Sequence, residues 1–311
     1  MIHLLHRTAL LVTLAFLSIP GVRAAEPGFE LKIDAAYASV NWQGKHVLTY
    51  RFGDAPPKPY VRELRTPAGV QILRDSPADH VHHRGLMYGV FVNGVDFWSE
   101  QPGAGKQVSI SVEGSTLSTS DGLSRCRIQQ QLEWISGDKP LATERRSLDV
   151  WAAADIPATL VTWSMRLQPA GGLDKVTLTG SHYDGLGIRF VESMDKTGTF
   201  SNATGQVGEL VRGSEHVVGS KWIAFSAPAE QKPVTVALFD HPDNDRHPAG
   251  MFSMSTPFSY LSATPNVWKT PRELVTNASW DLSYGVAVWD GEKDAAAIEQ
   301  LYARWINLTR R

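Results

Sequence analysis

Apolar and polar residues alternate with a period of two along most of this chain. The segments where this alternation is clearest are 29–33, 48–52, 108–112, 126–134, 161–167, 234–238 and 280–288. Successive side chains of a strand point to opposite faces, so this period is typical of strands that bury one face. Turn residues separate the segments, and no internal repeat is present. The pattern predicts an all-β fold, a large antiparallel β-sandwich.

The last segment of the chain has a different period. Its apolar residues fall at i, i+3, i+4 and i+7, namely Ile298, Leu301, Tyr302 and Trp305. This spacing predicts one C-terminal amphipathic helix that packs against the sheet. Asp294 at its start and Arg310 at its end suit the helix dipole.

The first residues are typical of a secretory signal. His6 and Arg7 precede the apolar run 9–19, and small residues end with Ala24. We expect a signal peptide over 1–24 and a single β-sandwich domain over 25–311, so that the mature protein is periplasmic or secreted. No later segment has the ~20 apolar residues of a transmembrane helix, so we expect no membrane insertion.

Composition narrows the classes of partner. The formal net charge is -2, and Cys126 is the only cysteine. Interspersed acids and bases leave no basic stripe for nucleic acid, so we expect a carbohydrate or another small molecule as partner. Glycine-rich dinucleotide and Walker motifs are absent from the sequence, so we expect no nucleotide cofactor.

The densest group of chemically active residues is Asp79-His80-Val81-His82-His83-Arg84. In an extended conformation His80 and His82 would point to the same side. Histidine suits proton transfer because its ordinary pKa lies near working pH. The alternative interpretation is a solvated polar loop or hydrogen-bonded core histidines. We favour function, since three imidazoles beside an Asp and an Arg are costly to bury without purpose.

Two further clusters follow. In His182-Tyr183-Asp184-Gly185, a strand would place His182 and Asp184 on one face, whereas Asp184-Gly185 is also a strong turn signal. The loop 240–248 follows an apolar strand and carries Asp240, His241, Asn244 and Arg246. Such a loop commonly displays binding groups, and structural roles within the loop are the alternative.

Several motifs together resemble a bacterial family. They are the run from Lys58-Pro59-Tyr60 through Arg74-Asp75, Asp79 to Leu86, Asn93-Gly94-Val95-Asp96-Phe97-Trp98, Tyr183-Asp184-Gly185-Leu186-Gly187, Asp240-His241-Pro242 and Ser283-Tyr284-Gly285. The family is known as the PmoA family or DUF6807, and its methane oxygenase name looks like a misnomer for this sequence. The resemblance implies a galactose-mutarotase-like β-supersandwich, an architecture of sugar epimerases, glycoside-cleaving enzymes and polysaccharide lyases. In such folds His, carboxylate and Arg groups surround a sugar on a concave sheet face.

The hypothesis is therefore a secreted carbohydrate-active enzyme that uses histidine acid–base chemistry, as a hydrolase, lyase or epimerase. The catalytic candidates are His82, His83, His182, Asp240 and His241. The substrate-binding candidates are Arg62, Asp79, His80, Arg84, Arg146, Tyr183, Asp184, Asn244 and Arg246. Trp98, Trp222 and Trp268 are candidates for stacking on a sugar.

Two alternatives stay open. The first is a divalent metal site built from His80, His82 and His182, with or without Asp184, although no cofactor is expected. The second is a carbohydrate-binding protein without catalysis, in which aromatic residues matter more than histidines.

Overall fold

The computed structural model describes residues 28–54 and 57–310. The signal peptide expected over 1–24 lies outside these residues. None of the helices within these two ranges is both long and apolar enough to cross a bilayer.

Strands dominate the described chain. In chain order they are β1 Phe29–Ile33, β2 Tyr37–Trp42, β3 Lys45–Arg51, β4 Tyr60–Leu64, β5 Leu86–Gly89, β6 Phe91–Val92, β7 Val95–Asp96, β8 Lys106–Ser118, β9 Ser124–Ser136, β10 Lys139–Ala152, β11 Thr159–Pro169, β12 Lys175–Thr179, β13 Gly185–Arg189, β14 Thr199–Asn202, β15 Glu209–Arg212, β16 Glu215–Gly219, β17 Trp222–Ala229, β18 Lys232–Asp240, β19 Gly250–Met254, β20 Tyr260–Thr264, β21 Arg272–Val275 and β22 Trp280–Asp290. One α-helix, α1 Ala295–Thr309, follows them.

These strands form two large antiparallel sheets and one small sheet. The ten-stranded sheet has the order β1-β2-β3-β4-β5-β13-β20-β19-β16-β15, and the eight-stranded sheet has the order β14-β17-β18-β22-β11-β10-β9-β8. The small sheet has the order β21-β12-β6-β7. The predicted all-β sandwich with one C-terminal helix is confirmed.

The main core lies between the two large sheets. One parity of each strand enters it, as with Ile128 and Trp134 of β9 and Val286 and Val288 of β22, all buried. The alternation over 126–134 and 280–288 is confirmed as a buried face. The apolar residues of 108–112 do not form a buried face. β8 is an edge strand, and Ile110 is 55% exposed at a register shift in the pairing of β8 with β9.

Helix α1 covers the outer face of the eight-stranded sheet. Its buried residues are the four that the sequence pattern predicted, Ile298, Leu301, Tyr302 and Trp305. They pack on alternate residues of β18 and β22 such as Phe239 and Ala287. The side chain of Asp294 accepts a hydrogen bond from the Ala297 amide at 2.8 Å and caps the helix.

Replacing Trp305 with Phe should lower the free energy of unfolding by about 1–2 kcal/mol. The Trp305 indole is fully buried and donates to Thr162 Oγ1 at 2.8 Å, and Phe loses both the bond and some volume. Urea unfolding measures the change. Asn307→Ala, on the exposed face of the same helix, is the control and should stay within about 0.5 kcal/mol of the parent. Equal effects of the two variants would contradict this packing.

Candidate active site

A pocket opens on the outer face of the ten-stranded sheet, opposite the main core. The register forms a cross-strand row in which Arg189 pairs with Tyr260, Tyr260 with Met254 and Met254 with Glu215. Residues that pair directly across antiparallel strands share one face of a sheet. The row therefore carries charged groups at its ends and apolar groups between them.

A glycine makes room for the aromatic floor of this pocket. A side-chain carbon on Gly187 of β13 would overlap the Tyr260 hydroxyl and lie 2.8 Å from the Trp98 ring. Trp98 and Tyr260 are both buried, and their ring centroids are 6.2 Å apart at an interplanar angle of 84°. The ring packing thus explains the second glycine of Gly185-Leu186-Gly187.

The pocket has a volume of about 350 Å³. Its walls are mostly aromatic, with polar groups from three loops and from β15 and β16. The lining residues are His80, His82, His83, Trp98, Ser99, Tyr183, Arg212, Glu215, Phe252, Met254, Pro257, Phe258 and Tyr260. An apolar cavity with a few convergent polar groups is the usual form of a small-molecule site.

Three histidines of the pocket form one cluster in a loop. The His80 and His83 amides donate to the carbonyls of Pro77 and His80, so the segment makes two successive turns. The rings of His80 and His83 stack at 4.7 Å, and His82 lies 4.6 Å from His83. The extended conformation considered from the sequence is wrong for this segment, because turns rather than strand alternation bring the three rings together.

Burial sets the protonation of two of these rings. The pKa of His82 is lowered to about 4, mainly by burial and to a smaller extent by the nearby Lys58 charge. Stronger burial, followed by the neighbouring His82, lowers the pKa of His83 to about 2. Both rings are therefore neutral at neutral pH, when they can accept a proton or share a hydrogen bond but cannot begin a reaction as imidazolium acids.

An ion cluster supports this wall from behind. The Lys58 ammonium lies 3.1 Å from Glu100 Oε1, and it donates to the Trp98 carbonyl. The Arg84 guanidinium donates to both oxygens of Glu100, at 3.1 and 2.7 Å. The cluster fixes the Trp98 backbone and places a positive charge close to His82. Arg84 therefore anchors the pocket wall, whereas the sequence analysis expected it to hold substrate.

The Glu215 end of the cross-strand row carries a histidine–carboxylate pair. His182 Nε2 and Glu215 Oε2 are 2.7 Å apart, and Arg212 Nε donates to both Glu215 oxygens at 3.0 and 2.9 Å. Of the two alternatives for 182–185, a shared strand face or a turn, the structure has a turn. Residues 181–184 form it, and the Asp184 amide donates to the Ser181 carbonyl, so His182 and Asp184 do not share a strand face.

Asp184 closes this turn from within the protein. Its Oδ2 accepts a hydrogen bond from the Ser181 amide at 2.8 Å, and the residue is 1% exposed. Burial raises the pKa of Asp184 to about 8, against the opposing Ser181 bond, so the carboxyl is protonated at neutral pH. The structure therefore gives Asp184 a place beneath the turn, outside the pocket lining.

Asp184→Asn should remove a pH dependence of stability. A carboxyl whose pKa is raised by folding stabilises fully below its unfolded value near 3.8, and this contribution is lost as pH rises through about 8. Relative to the variant, the parent should lose about 1.4 kcal/mol per pH unit between about pH 5 and 7, with a shallower loss up to about pH 8. Urea unfolding across that range measures it. Parallel curves for the two proteins would contradict the buried protonated carboxyl.

Most of the chain matches one protein family. Residues 37–303 match the Family of unknown function (DUF6807). The chain belongs to this family. The resemblance to DUF6807 drawn from the sequence motifs is thereby confirmed. No curated protein matches this DUF6807 sequence.

Solved structures show distant likenesses to the DUF6807 chain. A candidate aldose 1-epimerase from Klebsiella pneumoniae is 11% identical, with a TM-score of 0.49 over 87% of this chain and 83% of that one. An α-galactosidase from Geobacillus stearothermophilus is 10% identical, with a TM-score of 0.47 over 85% of this chain and 41% of that one. An α-galactosidase from Lactobacillus brevis is 5% identical, with a TM-score of 0.48 over 85% and 39%. The DUF6807 chain thus spans about two fifths of either α-galactosidase.

The third sequence cluster lies away from this pocket. Asp240 is buried, and its Oδ2 lies 2.6 Å from His247 Nδ1 while its Oδ1 accepts from Asn244 at 2.7 Å. His241 packs its ring on Trp305 of α1 at 5.4 Å and lines a groove on the eight-stranded sheet. Asp240 and His241, which are catalytic candidates from the sequence together with His82 and His182, therefore do not lie in the same pocket as His82. Their loop follows β18 of the other large sheet.

The remaining arginine candidates also make contacts within the protein. Arg146 is buried between the sheets, Arg62 pairs with Asp75 at 3.3 Å, and Arg246 donates to the carbonyls of Asn266 and Thr270 at 3.3 and 2.6 Å. None of the three lines the pocket. Asp79 lies beside it, 3.2 Å from His80 Nδ1.

Of the three tryptophan candidates, two lie at or near the pocket and one does not. Trp98 lines the pocket, and Trp268 lies 5.9 Å from His182. Trp222 is buried, and its indole donates to Glu299 of α1 at 2.7 Å, so it is no stacking surface.

Sequence reasoning missed Glu215 and Arg212, and it also missed the aromatic residues Phe252, Phe258 and Tyr260. The alternation of Phe258 and Tyr260 is a weak signal of a shared face. Glu215 had no such signal, because only the pairing of β16 with β19 brings it to the pocket.

The metal alternative gains no support from this geometry. Across 28–54 and 57–310, no group of three or more His, Cys, Asp and Glu side chains is arranged to hold a metal ion. His80, His82 and His182 are not such a group, and His182 Nε2 contacts Glu215.

Proposed function

We propose that this DUF6807 protein is a carbohydrate-active enzyme whose chemistry takes place in the histidine-lined pocket. The observation that carries the proposal is His82, a neutral imidazole on the wall of a small aromatic cavity. A neutral imidazole can take a proton from a sugar hydroxyl, a carbon acid or a water molecule, and its conjugate acid can return that proton. Trp98 and Tyr183 offer aromatic surface for a sugar ring.

The second reacting wall is the Glu215–His182 pair. Glu215 faces the pocket while His182 and Arg212 hold its carboxylate. A carboxylate fixed by two partners accepts hydrogen bonds from sugar hydroxyls in a defined orientation. His182 is a positioning residue in this arrangement, because it holds the Glu215 carboxylate at the pocket.

Secretion belongs to the same proposal. The signal pattern over 1–24 supports export, and an exported enzyme meets glycans outside the cytoplasm. Hydrolysis, elimination and epimerisation all use these residue types, so the reaction class is open within this proposal.

The test is a screen of the purified mature protein. Neutral glycosides, keto-glycosides and uronic acid glycans serve as substrates, with product mass as the readout. Gain of one water indicates hydrolysis, cleavage without such gain indicates elimination, and an unchanged mass with a changed NMR spectrum indicates epimerisation. Saturable binding without any product across the panel would contradict the proposal and favour the non-catalytic binding protein.

A further inference from the structure

The charges that line the pocket cancel one another. Of its lining residues, Arg212 and Glu215 carry formal charges, and they pair with each other at 2.9 Å. His82 and His83 are neutral at neutral pH because burial lowers the pKa of each ring. His80, the third imidazole, is paired with Asp79 at 3.2 Å. The pocket surface therefore has no net charge to offer a ligand.

The cations just behind the pocket walls are also paired with carboxylates. The Arg189 guanidinium lies 3.7 Å from the Phe258 ring centroid, and it is 3.4 Å from Asp79 and 3.7 Å from Asp195. Lys58 lies 3.1 Å from Glu100, and Arg84 lies 2.7 Å from Glu100 and 4.0 Å from Asp75. Each of these cations already faces a carboxylate, so none is left to compensate an incoming anion.

We infer that the pocket selects an uncharged sugar residue and discriminates against uronic acids. A uronate would lose its hydration in an aromatic cavity without a free counter-charge, and burying an unpaired charge is strongly unfavourable. A neutral sugar presents apolar ring faces to Trp98 and Phe258 and hydroxyls to Glu215. This inference rests on the proposed function and names its substrate class.

The test compares matched ligands at pH 7. The probes are the methyl glycosides of glucose and galactose and the methyl glycosides of glucuronic and galacturonic acid. Each pair differs at C6, where a hydroxymethyl group becomes a carboxylate. Dissociation constants come from ligand-observed NMR titration. We expect each neutral glycoside to bind at least about tenfold more tightly than its acid.

Two charge variants should move this preference in opposite directions. Glu215→Gln leaves the Arg212 guanidinium without its counter-charge, so the preference for the neutral sugar should fall about tenfold or reverse. Arg212→Gln leaves the Glu215 carboxylate, so the discrimination against uronates should rise. The Arg212 side chain is 68% exposed, which favours a folded variant even if Glu215→Gln is unstable. Glu273→Gln, in an exposed pair with Lys175, is the matched control and should change nothing.

The outcomes separate this inference from the function beneath it. Uronides that bind as tightly as the neutral glycosides, or a preference that both variants shift in the same direction, would overturn the inference and leave the enzyme proposal standing. No binding by either class, together with no product in the glycan screen, would overturn both.

Discussion

His82→Gln should lower turnover of the substrate found by screening about 10²- to 10⁴-fold, with a much smaller change in KM. Glutamine keeps a polar side chain of similar reach, but it cannot take up a proton at neutral pH. Because His82 lies on the pocket wall and its pKa is about 4, loss of its basic nitrogen removes a proton acceptor that is ready for use. Steady-state kinetics of the purified variant measure the effect.

His46→Gln is the matched control for this variant. His46 is also a partly buried histidine beside a carboxylate, 3.5 Å from Glu63, but it lines a different cavity. Its replacement should leave turnover within about twofold of the parent. Full turnover in His82→Gln, or an equal loss in His46→Gln, would refute the assignment of His82.

The pH profile gives an independent measure of the same group. If neutral His82 is the base, the rate should fall on the acid side with an apparent pKa near 4, and an unperturbed histidine would place this limb near 6.5. The free energy of unfolding should also fall on the acid side. The unfolded chain takes up protons at His82 and His83 below about pH 6.5, whereas these two rings stay neutral to lower pH in the folded chain. The folded protein should therefore lose stability as pH falls from about 6.5 through 4.

Arg146→Met should lower the free energy of unfolding by about 3–5 kcal/mol. The Arg146 guanidinium is buried and donates to Glu144 at 2.7 and 2.8 Å, to Gln107 at 2.8 Å and to the Tyr50 hydroxyl at 3.2 Å. Methionine fills similar volume but leaves the buried Glu144 carboxylate without its charge partner. Urea unfolding at pH 7 gives the difference.

The double variant isolates the cause of this loss. Glu144→Gln combined with Arg146→Met removes both charges, so it should recover part of the stability lost in the single variant. Lys175→Met breaks an exposed pair with Glu273, and it should cost at most about 1 kcal/mol. If the proposed activity is found, the Arg146→Met variant should keep the parent KM under conditions where it is folded. A raised KM with unchanged stability would instead restore the role in substrate binding that the sequence suggested.

Local periodicity predicted the helix and seven of the 22 strands that the described ranges contain. Alternation over 126–134 and 280–288 predicts buried faces because a strand places every second side chain on one side. The spacing of Ile298, Leu301, Tyr302 and Trp305 predicts the covered face of α1, because residues three or four apart lie on one side of a helix. Local periodicity fails at 108–112, because whether an apolar face is covered depends on the strand's place in the sheet, and β8 lies at an edge.

The candidate site was also predictable only in part. The histidines at 80, 82 and 83 are close in sequence, so their clustering was predictable, although turns rather than a strand produce it. Asp240 and His241 carry the same residue types, yet they follow a strand of the other large sheet.

Local patterns in the amino-acid sequence predicted seven of the strands, the helix, and the grouping of three imidazoles. The pairing of Glu215 with His182, the burial of the Arg146 ion pair and the cancellation of the pocket charges follow from the tertiary structure. Periodicity is a property of neighbouring residues, whereas strand order, burial and charge pairing depend on residues far apart in the chain. The pKa values of His82 and Asp184 follow from that burial, which no local pattern encodes.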